Sequence, residues 1–339
     1  MPNYYYMTAR LIPVRKPQSG LTIIELMISI TLGLLVILSA TGLVISTKSL
    51  FVTQTDIVDT EDTARFALDN MARSIRQAGY INYDFSNSVM ITPASASADL
   101  AGMDANSVAA TSTDISTPLG TSVNNSDLLA VRFFGSGNPP NGDGTMSNCA
   151  GFSVPAAISP DSDRGWSIYY VALDANNEPQ LMCKYYSNSG NWTAQAIVKG
   201  VESFQVLYGL DTNTPSNGLS NKFLTATNIN ALDQSLGLSG NALNAATYWK
   251  RIRTVKIAML IRGTGNSRTD ITTTTYNLFG PDYKVANPND LGTVINEQNL
   301  PAGTTKRVRK IYAATVQLRN FCSVDSSKPA PVCASTNFQ

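Results

Sequence analysis

The chain has 339 residues, with 25 Lys and Arg against 24 Asp and Glu, for a formal net charge of +1. Charged residues make up only 14% of it, against a usual ~25%, so composition gives no broad electrostatic footprint for nucleic acid or lipid headgroups. Histidine is absent, which removes the commonest general base and metal ligand together, and with them Ser/His/Asp and Cys/His catalysis.

The first twenty residues carry Arg10, Arg15 and Lys16 and no acid. From Leu26 to Ile45 there is no charged residue, and ~20 apolar residues suffice to cross a bilayer as a helix. Basic residues ahead of such a run suit a cytoplasmic amino end. The run is too long for a secretory signal core, and no clear Ala-x-Ala site follows it. A plain membrane anchor accommodates the length but leaves Glu25 without a role. A carboxylate there costs up to ~2.5–3.5 kcal/mol at mid-depth, and its presence calls for a functional partner.

The segment Gly20-Leu21-Thr22-Ile23-Ile24-Glu25-Leu26 resembles the type IV prepilins. The resemblance implies cleavage between Gly20 and Leu21 by a membrane prepilin peptidase, with Leu21 becoming the methylated first residue. Glu25 is then the fifth mature residue, and the free amine of a mature terminus is its implied partner. An opposite charge within ~4–6 Å keeps both groups ionised in a poor solvent, which would set a subunit's register in a filament. Two residues depart from the common pattern: Leu21 stands where many members have Phe, and Gly42 where many major pilins have Pro. Glycine weakens a helix by ~1 kcal/mol without removing a hydrogen bond, so melting at Gly33 or Gly42 during assembly is only weakly favoured.

Between Asp56 and Ala78, Ile57, Ala64, Leu68, Met71, Ala72, Ile75 and Ala78 recur at three- and four-residue spacing on one helical face. Glu61–Arg65 and Asp69–Arg73 are acid-before-base pairs four apart, and Gly79 stands where a helix cap belongs. One helix over Thr22–Ala78 would be ~85 Å long at ~1.5 Å per residue. The expected organisation is a leader at 1–20, an apolar helix at 21–50, its amphipathic half at 51–79 and a globular head at 80–339.

In the head, Asn82–Ser126 reads as loops with room for a short helix. The strand candidates are Leu128–Phe134, Ser167–Leu173, Gln180–Tyr186, Ala196–Leu210, Thr254–Arg262 and Val308–Asn320. The second and third flank the polar turn Asp174–Pro179 and read as a hairpin. Val255, Ile257, Met259 and Ile261 alternate onto one face, as do Val308, Tyr312, Ala314, Val316 and Leu318, with Lys310 the exception. The stretches Asp211–Ala246 and Gly263–Pro301 read as long insertions, the first with a short helix near Asn230–Gly240. The fold class is α+β: a long amino-terminal helix packed on an antiparallel β-sheet head with long loop insertions.

No phosphate-cradling loop or nucleophile elbow occurs, and Gly263-Thr264-Gly265 lacks the third glycine of a dinucleotide fingerprint. Asp161-Ser162-Asp163 and Asn141-Gly142-Asp143-Gly144 are ordinary turn chemistry before they are calcium loops. No metal, cofactor or enzymatic activity is expected. The four cysteines, Cys149, Cys183, Cys322 and Cys333, form no Cys-x-x-Cys pair, and in an oxidising compartment two disulfides are the better reading. Of three connectivities, Cys149–Cys183 with Cys322–Cys333 closes the shortest loops. Two basic clusters remain, Lys250-Arg251-Arg253 and Lys306-Arg307-Arg309-Lys310. They read first as charges blunting a sheet edge or meeting a neighbouring subunit, with phosphate contact to DNA as the alternative.

Arg65 through Tyr80, and Arg307 through Asn320, resemble the helix end and last strand of the PilW-type minor pilins. Shorter J-type pseudopilins of type II secretion share part of this and are the alternative. The resemblance implies a structural subunit of a tip complex that primes pilus polymerisation. Its implied partners are other minor pilins, the major pilin, the inner-membrane assembly platform and a large tip adhesin. It also implies a single-pass inner-membrane precursor with a periplasmic head, which later reaches the cell surface in the pilus. A ligand- or DNA-capturing module displayed on a pilus is the alternative of another class.

Overall fold

The structure is a computed structural model describing residues 20–80, 82, 93–156, 162–214, 216–268, 273–320, 322–323 and 332–333. The leader before Gly20 and the Asp161 end of one candidate calcium turn lie outside those residues. The chain divides into two compact units, residues 1–51 and 52–339.

Helix α1 runs unbroken over Ile23–Gln77, through both Gly33 and Gly42. Its 55 residues contain no proline. Its apolar part is long and apolar enough to cross a membrane, and its most apolar stretch is not buried. The hydroxyls of Ser29, Thr31, Ser39, Thr41 and Thr47 donate to carbonyls three or four residues back. Their polarity is thereby answered within the helix, as a bilayer requires.

Within the second unit the buried stripe of α1 is Asp56, Thr60, Ala64, Ala67, Met71, Ala72, Ser74 and Ile75. Ala64, Met71, Ala72 and Ile75 of the expected face lie in it, Ile57 and Leu68 are half-buried beside it, and polar residues extend it. The Glu61 carboxylate is hydrogen-bonded by Lys310 at 3.1 Å, and Arg65 adds only a weaker attraction. The helix stops at Gly79, in the left-handed region at φ 67. A Cβ there would lie 2.7 Å from the Asn320 carbonyl and 2.9 Å from Asp99 Oδ2, so conformation and space both require glycine.

The head's strands are β1 (Leu100–Met103), β2 (Leu128–Phe133), β3 (Gly165–Leu173), β4 (Pro179–Tyr186), β5 (Trp192–Lys199), β6 (Val201–Leu210) and β7 (Lys222–Leu224). Then come α2 (Ala226–Ser235), α3 (Gly240–Ala246), β8 (Ile252–Arg262), β9 (Thr275–Asn277), α4 (Pro281–Ala286) and β10 (Val294–Asn296). The chain closes with β11 (Arg309–Gln317), β12 (Cys322–Ser323) and β13 (Val332–Cys333). Sheet order is β1-β2-β3-β4-β5 in a five-stranded sheet and β11-β8-β6-β7 in a four-stranded one, with antiparallel pairing throughout.

The α+β class holds, with two main sheets and the small pairs β9–β10 and β12–β13 where one sheet was expected, and the division between the main sheets turns on one glycine. The expected strand Ala196–Leu210 is two strands parted at Gly200, whose φ is 82. The Gly200 amide donates to the Pro179 carbonyl of the first sheet, and its own carbonyl accepts from Arg262 of the second. A Cβ at this point would stand 2.6 Å from the Arg262 carbonyl oxygen. β1 lies in the stretch read as loops, and the helix placed near Asn230–Gly240 is instead the pair α2 and α3.

The main core joins α1 to the inner faces of both sheets, through Met71, Ile75, Tyr169, Val171, Leu181, Phe204, Val206, Ile257 and Met259. Val255, Ile257, Met259 and Ile261 face it as expected, while Ala258 and Leu260 fill a smaller core behind β8 with Leu278, Ile295 and Leu300. The second insertion is thus a cover for that outer face.

Candidate functional site

Three features inherit the residues picked out by sequence: the start of α1, the cysteines and the basic clusters. At the start of α1, Thr22 accepts the first helical bond from the Leu26 amide at 3.1 Å. Its hydroxyl accepts from the Glu25 amide at 3.3 Å, and the Glu25 carboxylate accepts from the Thr22 amide at 3.2 Å and the Thr22 hydroxyl at 3.1 Å. This is a reciprocal capping box, satisfying two amides that a helix start leaves without partners. Gly20 and Leu21 are exposed directly ahead of it. Thr22 is the residue the sequence reading passed over, although Thr-x-x-Glu before an apolar run is a legible cap signature.

Cys149 and Cys183 form a disulfide with Cα atoms 5.8 Å apart, tying a loop to β4 inside the main core. Cys322 and Cys333 are register partners in the antiparallel ladder β12–β13. Directly opposed Cα atoms in such a ladder are ~4.5–5.5 Å apart, within the span a disulfide bridges.

The basic clusters do not assemble into a cationic surface. Arg309 is buried, with Nε 2.7 Å from Glu202 Oε2 and Nη1 2.8 Å from Glu297 Oε1. Arg262 bonds both Glu202 and Glu178, and Arg307 bonds Glu178 at 3.0 Å. Glu178 sits in the β3–β4 hairpin turn, so this network laces the two sheets together. Lys310 is held by Glu61, and its ammonium keeps the Glu61 carboxyl below its ordinary range. In the other cluster, Lys250 donates to the Ala94 carbonyl at 2.6 Å and Arg251 to the Asn213 carbonyl at 2.8 Å. Arg253 is 3% exposed, leaving Lys306 exposed at the surface. Sequence proximity suggested patches; alternating strand faces, the buried Glu202 and Glu297 and the half-buried Glu178 dispersed them.

The Asn141–Gly144 turn is closed by its own aspartate. Asp143 accepts from Ser136 Oγ at 2.6 Å and from the Thr145 amide at 2.9 Å, which together hold its carboxyl below the usual range. Among the described residues no group of three or more acids or cysteines is placed to hold a metal ion.

Residues 15–41 match the family model described as the prokaryotic N-terminal methylation motif, across the Gly20–Leu21 junction and the capped start of the apolar helix. Residues 168–320 match the model described as Type IV Pilus-assembly protein W, from within β3 to just past β11. Together the two matches support a type IV minor pilin of the PilW type. No curated protein matches it in sequence. Among solved structures, a type IV-like pilin from Thermus thermophilus is 13% identical with TM-score 0.35, over 76% of this chain and 94% of that one. A likeness at that level says nothing about this chain's chemistry.

Proposed function

We propose that this minor pilin takes part in the complex that starts a type IV pilus and remains near the filament tip. Cleavage between Gly20 and Leu21 frees an amine for methylation beside the Thr22–Glu25 cap, and Glu25 then pairs with the amine of a neighbouring subunit. The observation that carries the reading is the contrast within α1. Its apolar half leaves Leu26, Ile30, Leu34, Leu38 and Ile45 more than half exposed, while the second unit closes a core of its own. Such a surface requires cover, first by lipid with the head in the periplasm and then by the helices of other pilins. A head enlarged by two insertions suits the tip, where no symmetric neighbour stacks above it.

The neighbours in this reading are other minor pilins, the major pilin, the prepilin peptidase, the inner-membrane platform and a tip adhesin. Deleting the gene should cut the number of surface pili several-fold, counted by electron microscopy and by shearing, and the wild-type gene should restore them. A deletant with normal pilus number would remove the priming role.

A further inference from the structure

A cavity of about 660 Å³ opens on the seam between the two sheets, a size typical of ligand and peptide sites. Its wall includes Tyr170, Val171, Ala172 and Leu173, four consecutive residues of β3. Successive side chains of a strand point to opposite faces, so a cavity touching all four meets the strand along its edge. The pairing explains how that edge comes to be open. β2 pairs with β3 only as far as Leu129 opposite Tyr169, whereas β4 continues along the other side to Leu173.

The chain ahead of β2 is drawn off to the second sheet. The Asp127 amide donates to the Phe204 carbonyl at 2.7 Å, the Phe204 amide to Ser126 Oγ at 3.2 Å, and the Val206 amide to Asp127 Oδ2 at 2.8 Å. Among the described residues, the backbone of Tyr170–Leu173 has no hydrogen-bond partner on the side β2 vacates.

The surroundings define an occupant. Leu119 and Leu173, 56% and 49% exposed, stand at the cavity, and Val108 and Val123 add apolar wall. The charged lining is Glu202 and Arg262, which are bonded to each other, so nothing in the floor calls for a charged guest. Tyr170 is 3% exposed, and burial alone pushes its phenol up to about 12, with no hydrogen bond offsetting it.

We propose that this cavity receives an extended, uncharged segment of another pilus subunit, which adds a short strand to the open edge of β3 and seats an apolar side chain between Leu119 and Leu173. Main-chain bonds then supply affinity, and the apolar walls supply the choice of side chain. The edge is reached from its Leu173 end, since Tyr170 and Val171 are 3% and 1% exposed, and the added strand runs inward from there along the cavity. The identity of the occupant rests on the pilus reading; the strand-accepting edge does not.

The test uses the detergent-solubilised full chain and a synthetic probe, an acetylated and amidated hexapeptide alternating Val and Thr, at about 1 mM. A second peptide has the same side chains but N-methylated amides. Residue-resolved hydrogen exchange should show at least about tenfold slowing at alternate amides of Tyr170–Leu173 with the first peptide and none with the second. Leu119→Arg should abolish the effect while circular dichroism and the Cys149–Cys183 bond are unchanged. No slowing with the first peptide, equal slowing by both, or slowing of all four amides alike would overturn strand addition. Pilus counts in the deletant decide the pilus reading separately.

Discussion

Lys184 is a lysine of β4 with no solvent exposure, and its ammonium donates to the Ala109 carbonyl at 3.0 Å, Ser112 Oγ at 2.8 Å and the Asp114 carbonyl at 2.7 Å. It pins the loop that runs on to Leu119. Burial pushes its pKa down to about 8, with the Asp114 carboxylate pulling weakly the other way. The ordinary lysine value is ~10.4. Between the two the folded chain has released a proton that the unfolded chain still holds, so stability should rise with pH across that window. Below about pH 8 both forms are charged and the penalty for burying the ammonium applies in full. Urea midpoints measured from about pH 7 to 10.5 should climb for the wild type, and Lys184→Met should remove that climb; parallel profiles would contradict it. Nothing in the sequence marks Lys184 as buried, because Ile168 across the ladder and the loop over it come from distant segments.

At the scale of elements, the Cys149–Cys183 link closes a loop with a sequence separation of 34 residues. The chain-entropy account assigns it about 3–4 kcal/mol. Replacing both cysteines by serine should lower the unfolding free energy by that amount in urea titrations, and an unchanged midpoint would show that the loop is held by packing alone. The apolar pattern made α1, β2, β3, β4, β8 and β11 legible, even though β2, β3 and β8 bury residues on both faces. It failed at β6, where all ten residues are buried, so no alternation separates it from β5 and only Gly200 marks the break. β1, four residues long, has too little length for a pattern. At the amino-terminal site, glycine, glutamate and the apolar run were legible because they are contiguous. The open edge of β3 was not, because it depends on where β2 stops pairing.

On the scale of the whole molecule, residues 52–339 form a compact unit that carries the disulfide and the main core. A chain beginning at Val52 should therefore unfold in one cooperative transition with its disulfide intact, measured by calorimetry and near-ultraviolet circular dichroism. A broad transition without near-ultraviolet signal would show that the apolar half of α1 is needed for folding. The junction at the helix end has a mechanical consequence. The Gly79 amide donates to the Arg132 carbonyl on β2, while the Asn320 side chain, just past β11, donates to the carbonyls of Arg76 at 3.1 Å and Ala78 at 3.4 Å. One helical turn is thus moored to a strand of each sheet. Tension drawn along the helix reaches both sheets together, and the Glu178–Arg262–Arg307 lacing opposes their shearing apart. A head mounted this way takes axial pull as a single block instead of peeling strand by strand.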